Sequence, residues 1–311
     1  MTLIVLLCLA AACSGDAKEG SAAQREATTG ATSTGFDGSA AYNYAKAQVD
    51  FGPRVPGTPA AKQAGDWIIQ QMRTRADTVV VQSFTYTTAN GKKLPLRNIL
   101  ARFRPELPER VLYVTHWDTR PISDLATSDA EKKMPMPGAN DGASGVGLFV
   151  ALADVLKKTK PNVGVDLLFV DGEDYGQFGP PEVDVLIGSK YFAEHPPSPG
   201  YKPLYGVLFD MIGDKDLRIP YEMNSFQQAP EVVSRVWQTA AELGHGDVFV
   251  QEGGDQITDD HIPLLKSGMR VIDVIDLTYP AHHTPHDTMD KISAKSLATV
   301  GDVATALVTR K

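Results

Sequence analysis

The sequence has almost no cysteine. Its two cysteines, Cys8 and Cys13, both lie near the start of a chain of 311 residues. A domain that begins after them contains neither disulfide bonds nor thiolate metal ligands. Any transition metal in such a domain must be held by histidine and carboxylate side chains.

The sequence also lacks a block of five or more basic residues, and its formal net charge is −8. Because nucleic acid binding draws on clustered lysine and arginine, we expect no nucleic acid partner. A chain with 42% hydrophobic and 22% charged residues can form one large or two small domains with a sizeable core.

The start of the chain has no hydrophobic run long enough to span a bilayer. Residues 1–12 are mostly apolar but short, and they resemble the apolar part of a signal peptide. Two alanines precede Cys13, as at the processing site of a bacterial lipoprotein. We therefore predict a signal peptide at residues 1–13, a lipidated Cys13, and an exported protein that is a periplasmic or cell-envelope lipoprotein or is secreted. A plain secretory signal cut nearby is the alternative. Membrane contact is expected only through the lipid.

Composition divides the rest of the chain into two parts. Residues 14–40 are rich in glycine, serine, threonine and alanine, which is typical of a flexible linker. Residues 41–311 have globular patterns without a second domain boundary, and we expect a monomer. Strands and helices alternate after residue 110, which predicts an α/β fold: a single three-layer domain with a mixed, mostly parallel twisted sheet and helices on both faces. The first three strands are expected to form an antiparallel edge, at residues 77–86, 98–103 and 110–115.

The clearest candidate for a functional site follows a buried strand. The apolar run that ends at Val170 leads directly into Asp171, Gly172, Glu173 and Asp174. This pattern is typical of a central parallel strand leaving the core at its carboxyl end, where open α/β sheets bind ligands. One acid can bind a cation while another transfers a proton. A solvated acidic loop is the alternative for this stretch taken alone.

Other histidine and acidic residues also follow apolar strands or begin a helix. They are His116, Asp118, Asp141, Asp210 and His283. Each has an ordinary explanation in turn chemistry, but their combination without cysteine is typical of a catalytic zinc site. A loop at residues 120–138 contains three prolines and is longer than a plain connection, which favours a functional role.

Five motifs, in order along the chain, resemble those of a known enzyme family. They are His116-x-Asp118, Asn140-Asp-Gly-Ala-Ser-Gly145, Asp171-Gly-Glu-Asp174, Leu208-Phe-Asp-Met-Ile-Gly213 and His283-Thr-Pro-His-Asp-Thr288. From residue 51 onwards the chain resembles the zinc-dependent exopeptidases of metallopeptidase family twenty-eight. This family includes two-metal aminopeptidases and animal-type glutaminyl cyclases, and the chain is most similar to the cyclase branch.

The resemblance implies the roles of the acids that follow the buried strand. Asp141, Asp174 and His283 correspond to the ligands of one zinc ion, and Glu173 to the general acid and base. Peptidases commonly have glutamate at the position of Asp174, whose side chain is one methylene shorter. Asp287 is expected either to support His283 from behind or to cap a helix.

The resemblance also implies a second metal site in the peptidases. Asp141 would then bridge two zinc ions, and His116 and Asp210 would bind the second ion. Asp118 would orient the imidazole of His116. We expect one Zn²⁺ per chain if the protein is a cyclase and two if it is a peptidase.

Three stretches favour the cyclase branch, at residues 51–59, 210–213 and 259–265. Cyclases have an acid at the position of Asp259, linked by hydrogen bonds to the counterparts of Glu173 and Asp210, whereas peptidases usually have a small polar residue there. Close carboxylates share protons, which tunes one of them into a useful acid. Glu173, Asp259 and Asp210 are therefore the predicted catalytic residues.

Two positions depart from the cyclase pattern. His282 replaces a tryptophan that lines the cyclase pocket, and Asp273 aligns with a histidine that assists there. We interpret His282 as a surface histidine. The resemblance implies a zinc-dependent glutaminyl-peptide cyclotransferase that acts on the N-termini of peptides or proteins. A zinc aminopeptidase that removes N-terminal residues through a metal-activated water is the alternative.

Overall fold

The structure is a computed structural model that describes residues 34–310. The predicted signal peptide, with Cys13, lies outside the described residues, as does most of the predicted linker. The first helix begins at Gly38, so the predicted domain start at residue 41 falls inside this helix. In the described part of the chain, no helix combines the length and apolar character that crossing a membrane requires.

The described residues form helices and strands that alternate along most of the chain. The helices are α1 (Gly38–Val49), α2 (Pro59–Arg73), α3 (Ala143–Lys158), α4 (Ile187–Glu194), α5 (Met223–Gln228), α6 (Pro230–Glu242), α7 (His261–Lys266) and α8 (Ala294–Thr309). The strands are β1 (Thr78–Thr87), β2 (Lys93–Phe103), β3 (Arg110–His116), β4 (Gly164–Val170), β5 (Tyr205–Asp210), β6 (Ile219–Tyr221), β7 (Phe249–Gly253) and β8 (Val271–Ile275). A short 3-10 helix at Glu131–Lys133 interrupts the long loop.

Six strands form one mixed sheet in the order β1-β2-β4-β3-β5-β8. Strand β2 pairs antiparallel with both β1 and β4, whereas β4, β3, β5 and β8 run parallel. The predicted antiparallel edge of three strands is therefore wrong for β3. All seven residues of β3 are buried, which is typical of a strand covered by helices on both faces.

The sheet is packed on both faces, which confirms the predicted three-layer α/β architecture. Val111 and Tyr113 of β3 belong to a large core that includes residues of α1, α2, α3, α6 and α8. Leu112 and Val114 belong to a second core with residues of α4 and α7. Successive residues of a strand point to opposite faces, so the two cores lie on opposite sides of the sheet.

Local signals define several helix starts. Thr58 caps α2 and accepts a hydrogen bond from Ala61 N, and Ser293 caps α8 and accepts a hydrogen bond from Ser296 N. Strand β7 is not part of the six-stranded sheet, and it pairs with β6 in a separate small sheet.

A buried ion pair connects the antiparallel and parallel halves of the sheet. Asp166 of β4 is fully buried and accepts hydrogen bonds from Arg110 Nε at 2.7 Å and Arg102 Nε at 3.0 Å. The hydroxyl of Tyr201 donates to the same carboxylate at 2.8 Å. Arg110 is itself 5% exposed, so it has little access to water as an alternative partner.

Replacing Asp166 by alanine should strongly destabilise the fold, because Arg110 would remain buried without its carboxylate. We expect the free energy of unfolding to fall by about 3–5 kcal/mol, measured by urea denaturation. The control is Asp66→Ala, which removes the ion pairs of Asp66 with Lys62 and Arg97 at a side chain that is 49% exposed. It should change stability by no more than about 1 kcal/mol. A similar small effect for both variants would contradict this role of Asp166.

Candidate active site and metal ligands

The predicted site residues converge at one edge of the parallel half of the sheet. Strand β3 ends at His116, β4 leads into residues 171–174, and β5 ends at Asp210. Asp141 lies in the turn before α3, and His283 lies in the loop after β8. Parallel strands end at the same edge, where α/β proteins bind ligands, and the structure brings these residues together there.

One group of ligand atoms surrounds His116. Its Nε2 atom lies 3.0 Å from Asp210 Oδ1 and 3.1 Å from Asp141 Oδ1, and all three side chains are buried. Burial alone would lower the pKa of His116. The charge of Asp210 and the nearness of Asp118 and Asp141 outweigh this effect and raise the pKa well above its usual value.

A second group surrounds His283. Its Nε2 atom lies 3.4 Å from Asp174 Oδ1 and 3.7 Å from Asp141 Oδ2. The two carboxylate oxygens of Asp141 therefore face different imidazole rings, those of His116 and His283. This is the position that a bridging metal ligand requires.

The donors in these groups fit a metal ion. Asp174 Oδ2 is buried and has no hydrogen-bond partner, so it can offer a lone pair. Two groups of side chains each place their ligand atoms within 4.8 Å of one another. One group is Asp141, His282 and His283, and the other is His116, Asp141 and Asp210. Imidazole nitrogen and carboxylate oxygen are donors that zinc accepts. The predicted ligands Asp141, Asp174 and His283 would hold one ion. His116 and Asp210 would hold a second ion and would share Asp141 with the first site.

Asp287 fixes the backbone that carries Asp141. Its carboxylate accepts hydrogen bonds from Asn140 N at 2.8 Å, from Asp141 N at 3.1 Å and from the Tyr279 hydroxyl at 2.7 Å. Burial and the charge of Asp141 raise the pKa of Asp287 to about 7. Both predicted roles of Asp287 are therefore wrong, because it neither contacts His283 nor caps a helix.

Asp118 lies behind His116, as expected, but its hydrogen bonds are made elsewhere. The distance of 3.6 Å from its Oδ1 to His116 Nδ1 is long for a hydrogen bond. Its two oxygens accept hydrogen bonds from Glu173 N at 3.1 Å and Asp174 N at 3.2 Å. Asp118 therefore positions the backbone of the predicted acid–base group and of a predicted ligand.

A turn glycine permits this close packing. Gly142 has φ of 94°, and a Cβ atom there would lie 2.7 Å from the backbone oxygen of Asp118. Any other residue would push Asp141 away from His116.

The predicted acid–base residues form a buried acidic cluster. Burial raises the pKa of Glu173 well above its usual value, and the charges of Asp174, Asp259 and Asp260 add to this effect although His116 opposes it. Burial and the charges of Asp210 and Asp260 raise the pKa of Asp259 in the same way. Asp259 Oδ1 accepts a hydrogen bond from Asp260 N at 2.5 Å, while Oδ2 is buried without a partner. The predicted hydrogen bonds from Asp259 to Glu173 and Asp210 are thus not among its contacts, and these groups interact through their charges.

The cluster opens into a cavity of about 270 Å³. Acidic and histidine side chains form one part of its wall, namely Asp141, Glu173, Asp210, Asp259, His282 and His283. The rest of the wall contains mainly apolar side chains, among them Phe178, Met211, Ile257, Ile275 and Leu277. Such a cavity can bind a small side chain with a few polar groups placed against it.

The two residues that depart from the cyclase pattern, His282 and Asp273, lie in different surroundings. The interpretation of His282 as a surface histidine is wrong, because its ring lines the cavity and lies 3.9 Å from the ring of His283, centre to centre. Burial and the charge of His283 lower the pKa of His282, which favours a neutral imidazole. Asp273 is 1% exposed and does not line the cavity, and its Oδ2 atom lies 3.7 Å from His261 Nδ1.

Two residues of the long loop at residues 120–138 contact the predicted ligands, and sequence analysis did not identify them. Arg120 Nη1 donates to Asp174 Oδ1 at 2.5 Å, and Asp124 Oδ1 lies 3.2 Å from His283 Nδ1. Burial opposes protonation of His283, but the charge of Asp174 and hydrogen bonds with Asp124 and Asp174 raise its pKa to about 10. The unusual length of the loop was the available signal.

The family model described as peptidase family M28 matches residues 98–308. The chain belongs to this family. The match covers β2 to α8 and includes every predicted metal ligand and acid–base residue. Zinc is supported for the site, since relatives and structural neighbours are named as zinc enzymes.

Similar proteins include both of the predicted activities. Aminopeptidase YwaD of Bacillus subtilis is 25% identical over 82% of this chain, which spans 51% of that protein. The crystal structure of Porphyromonas gingivalis glutaminyl cyclase is 38% identical, with a TM-score of 0.85 over 88% of this chain and 98% of the other. A zinc-dependent exopeptidase from Parabacteroides distasonis is 34% identical, with a TM-score of 0.85 over 90% and 100% of the two chains. This chain spans only 39% and 51% of two of the curated relatives that it matches, and its family includes both cyclases and aminopeptidases.

The acidic cluster predicts a shift in pH dependence. A general base acts in its ionised form, so activity is lost as the pH falls through its pKa. Because the charge of Asp259 raises the pKa of Glu173, Asp259→Asn should lower that pKa. The acidic limb of the kcat/KM profile for a peptide substrate should therefore move to lower pH, measured between about pH 5 and 9. The control is Asp255→Asn, an exposed acid in the same loop. An acidic limb that stays in place or moves to higher pH would contradict the electrostatic coupling.

Proposed function

We propose that the protein is a zinc-dependent glutaminyl-peptide cyclotransferase, which converts the N-terminal glutamine of peptides to pyroglutamate and releases ammonia. The position of Asp259 carries this proposal. It is a buried acid in the cavity wall, and its charge acts on Glu173. Cyclases are expected to have an acid at this position, and the similarity to the Porphyromonas gingivalis cyclase over nearly its full length supports the same conclusion.

Cyclisation requires one proton to move from the attacking amine to the leaving group. The α-amine nitrogen of the substrate forms a bond to the carbon of its own γ-carboxamide, and the bond from that carbon to the amide nitrogen breaks. Glu173 accepts the proton that the amine loses and donates it to the departing ammonia. A zinc ion held by Asp141, Asp174 and His283 would supply a Lewis acid for the carboxamide oxygen.

The apolar part of the cavity wall suits a reaction in which water is not the nucleophile. Phe178, Ile257 and Leu277 offer no hydrogen-bonding side chain to a water molecule there. The buried Oδ2 atom of Asp259 has no hydrogen-bond partner, so it can share a proton with a neighbouring carboxylate of the acidic cluster. Neutral His282 lies at the cavity position where cyclases are expected to have tryptophan.

The first test uses a peptide that begins with glutamine. We expect release of ammonia together with loss of the free α-amine and no shortening of the peptide. The variant Glu173→Gln should reduce kcat by about 10²–10⁴-fold while it still binds zinc, because it loses only proton transfer. A matched peptide that begins with leucine should remain intact. Release of free glutamine would show that the enzyme is a peptidase instead.

An aminopeptidase is the second candidate, and the group of His116, Asp141 and Asp210 favours it. These three buried side chains place their ligand atoms close enough to bind a second ion. Glu173 would then accept a proton from the attacking water. The two metal sites would share Asp141.

Counting the metal distinguishes the two candidates. For a cyclase we expect about one zinc ion per chain, and His116→Ala should keep this ion because the other ligands remain. Metal content can be measured by atomic emission after dialysis, alongside activity on the glutamine peptide. A wild-type protein with about two zinc ions would favour the peptidase. In that case His116→Ala should lose one of the two ions and all activity.

The predictions for the N-terminal segment extend the proposed function. From the predicted signal peptide and the predicted lipidation of Cys13 we propose an exported enzyme. We further propose that it is a monomer and acts on the N-termini of peptides or proteins. It would be a periplasmic or cell-envelope lipoprotein, or a secreted protein.

A further inference from the structure

We propose that Arg120 and Asp124 are positioning residues for the metal ligands Asp174 and His283, and that they set the affinity of this site for metal. The proposal applies to either reaction, because both use the same two ligands. Its test measures metal binding, so its outcome is independent of whether the protein acts as a cyclase.

Arg120 lies between an expected metal ligand and Asp124. The residue is 2% exposed, and its Nη1 atom donates to Asp174 Oδ1 at 2.5 Å. The other side of the guanidinium binds both oxygens of Asp124, from Nε at 2.7 Å and from Nη2 at 3.2 Å. This bidentate contact fixes Asp124 relative to Asp174, because the fork of a guanidinium matches a carboxylate.

Asp124 completes a connection to the second ligand. Its Oδ1 atom accepts from Arg120 and also lies 3.2 Å from His283 Nδ1. A proton on Nδ1 leaves the lone pair of Nε2 free, and Nε2 is the atom that faces Asp174 and Asp141. The chain of contacts from Asp174 through Arg120 and Asp124 to His283 therefore fixes both ligands and selects the ring nitrogen that can bind metal.

The backbone of His283 needs such support. Its φ is 51°, in the left-handed region that is unfavourable for a residue with a side chain. Such a conformation persists where the surroundings hold it in place. The backbone N–H of Leu125 donates to His283 O at 3.2 Å, so the same loop holds both the main chain and the ring of this ligand.

Arg120 also leaves one atom of Asp174 available. Because its guanidinium occupies Oδ1, the buried Oδ2 atom remains without a partner. The contact thus orients the carboxylate and leaves one of its oxygens without a partner and free to bind a metal ion. Arg120 also balances part of the negative charge of the ligands. Removal of its positive charge alone would therefore strengthen metal binding, whereas loss of its contacts with Asp174 and Asp124 would weaken it.

The experiment therefore changes geometry and charge separately. In Asp124→Asn the side chain keeps its shape but loses its charge, and in Arg120→Lys the charge remains but the bidentate contact is lost. We expect zinc to bind about 10–100-fold more weakly to both variants, measured by competition with a chromophoric chelator. The matched controls are Asp129→Asn, whose side chain is 96% exposed in the same loop, and Arg75→Lys, which pairs with Asp154. Both controls should bind zinc as tightly as the wild type.

Thermal unfolding of the metal-free variants separates positioning from a purely structural role. The metal-free variants should unfold at the temperature of the wild type, while their zinc affinity falls. If Asp124→Asn lowers the unfolding temperature of the metal-free protein, the test rests on Arg120→Lys, which should unfold at the wild-type temperature and still bind zinc more weakly. Zinc affinities within about threefold of the wild type in both variants would overturn the proposal, because supporting residues of metal ligands typically change affinity by more than this.

Discussion

Burial of like charges in one place is the constraint on which the rest of this structure depends. Glu173, Asp174, Asp210 and Asp259 are each less than 10% exposed, and burial together with neighbouring negative charges raises the pKa of Glu173 and of Asp259. The fold offsets this cost with cations and hydrogen bonds that come from separate parts of the chain. The guanidinium of Arg120 and the imidazole of His283 lie beside Asp174 and contribute to that balance. Because a metal ligand must be deprotonated, metal binding is linked to the protonation of the imidazole.

The sequence predicts the strands and the acids at their ends, but not the order of the strands in the sheet. The sequence identifies interior strands because apolar residues run unbroken along them, and it identifies acids at strand ends because the polarity changes abruptly. It does not contain the order of the strands, so the interior position of β3 could not be derived from residues 110–116 alone. The order follows from how helices cover both faces of the sheet.

Partners of the site residues were harder to predict than the residues themselves. Asp287 and Asp124 lie far in the sequence from the backbone and the ring that they hold. Neither has a local pattern that distinguishes it from an ordinary turn acid. His282 was misinterpreted for a related reason, since burial of a histidine in a loop depends on the tertiary structure around it.

The left-handed backbone of His283 has a consequence for substrate selection. In an extended segment, neighbouring side chains point to opposite sides. Here both His282 and His283 line the same cavity. The residue before the ligand is thus a cavity residue because of the main chain, whatever its side chain. Substitutions at position 282 therefore change the shape and polarity of the cavity, and with them which substrates fit.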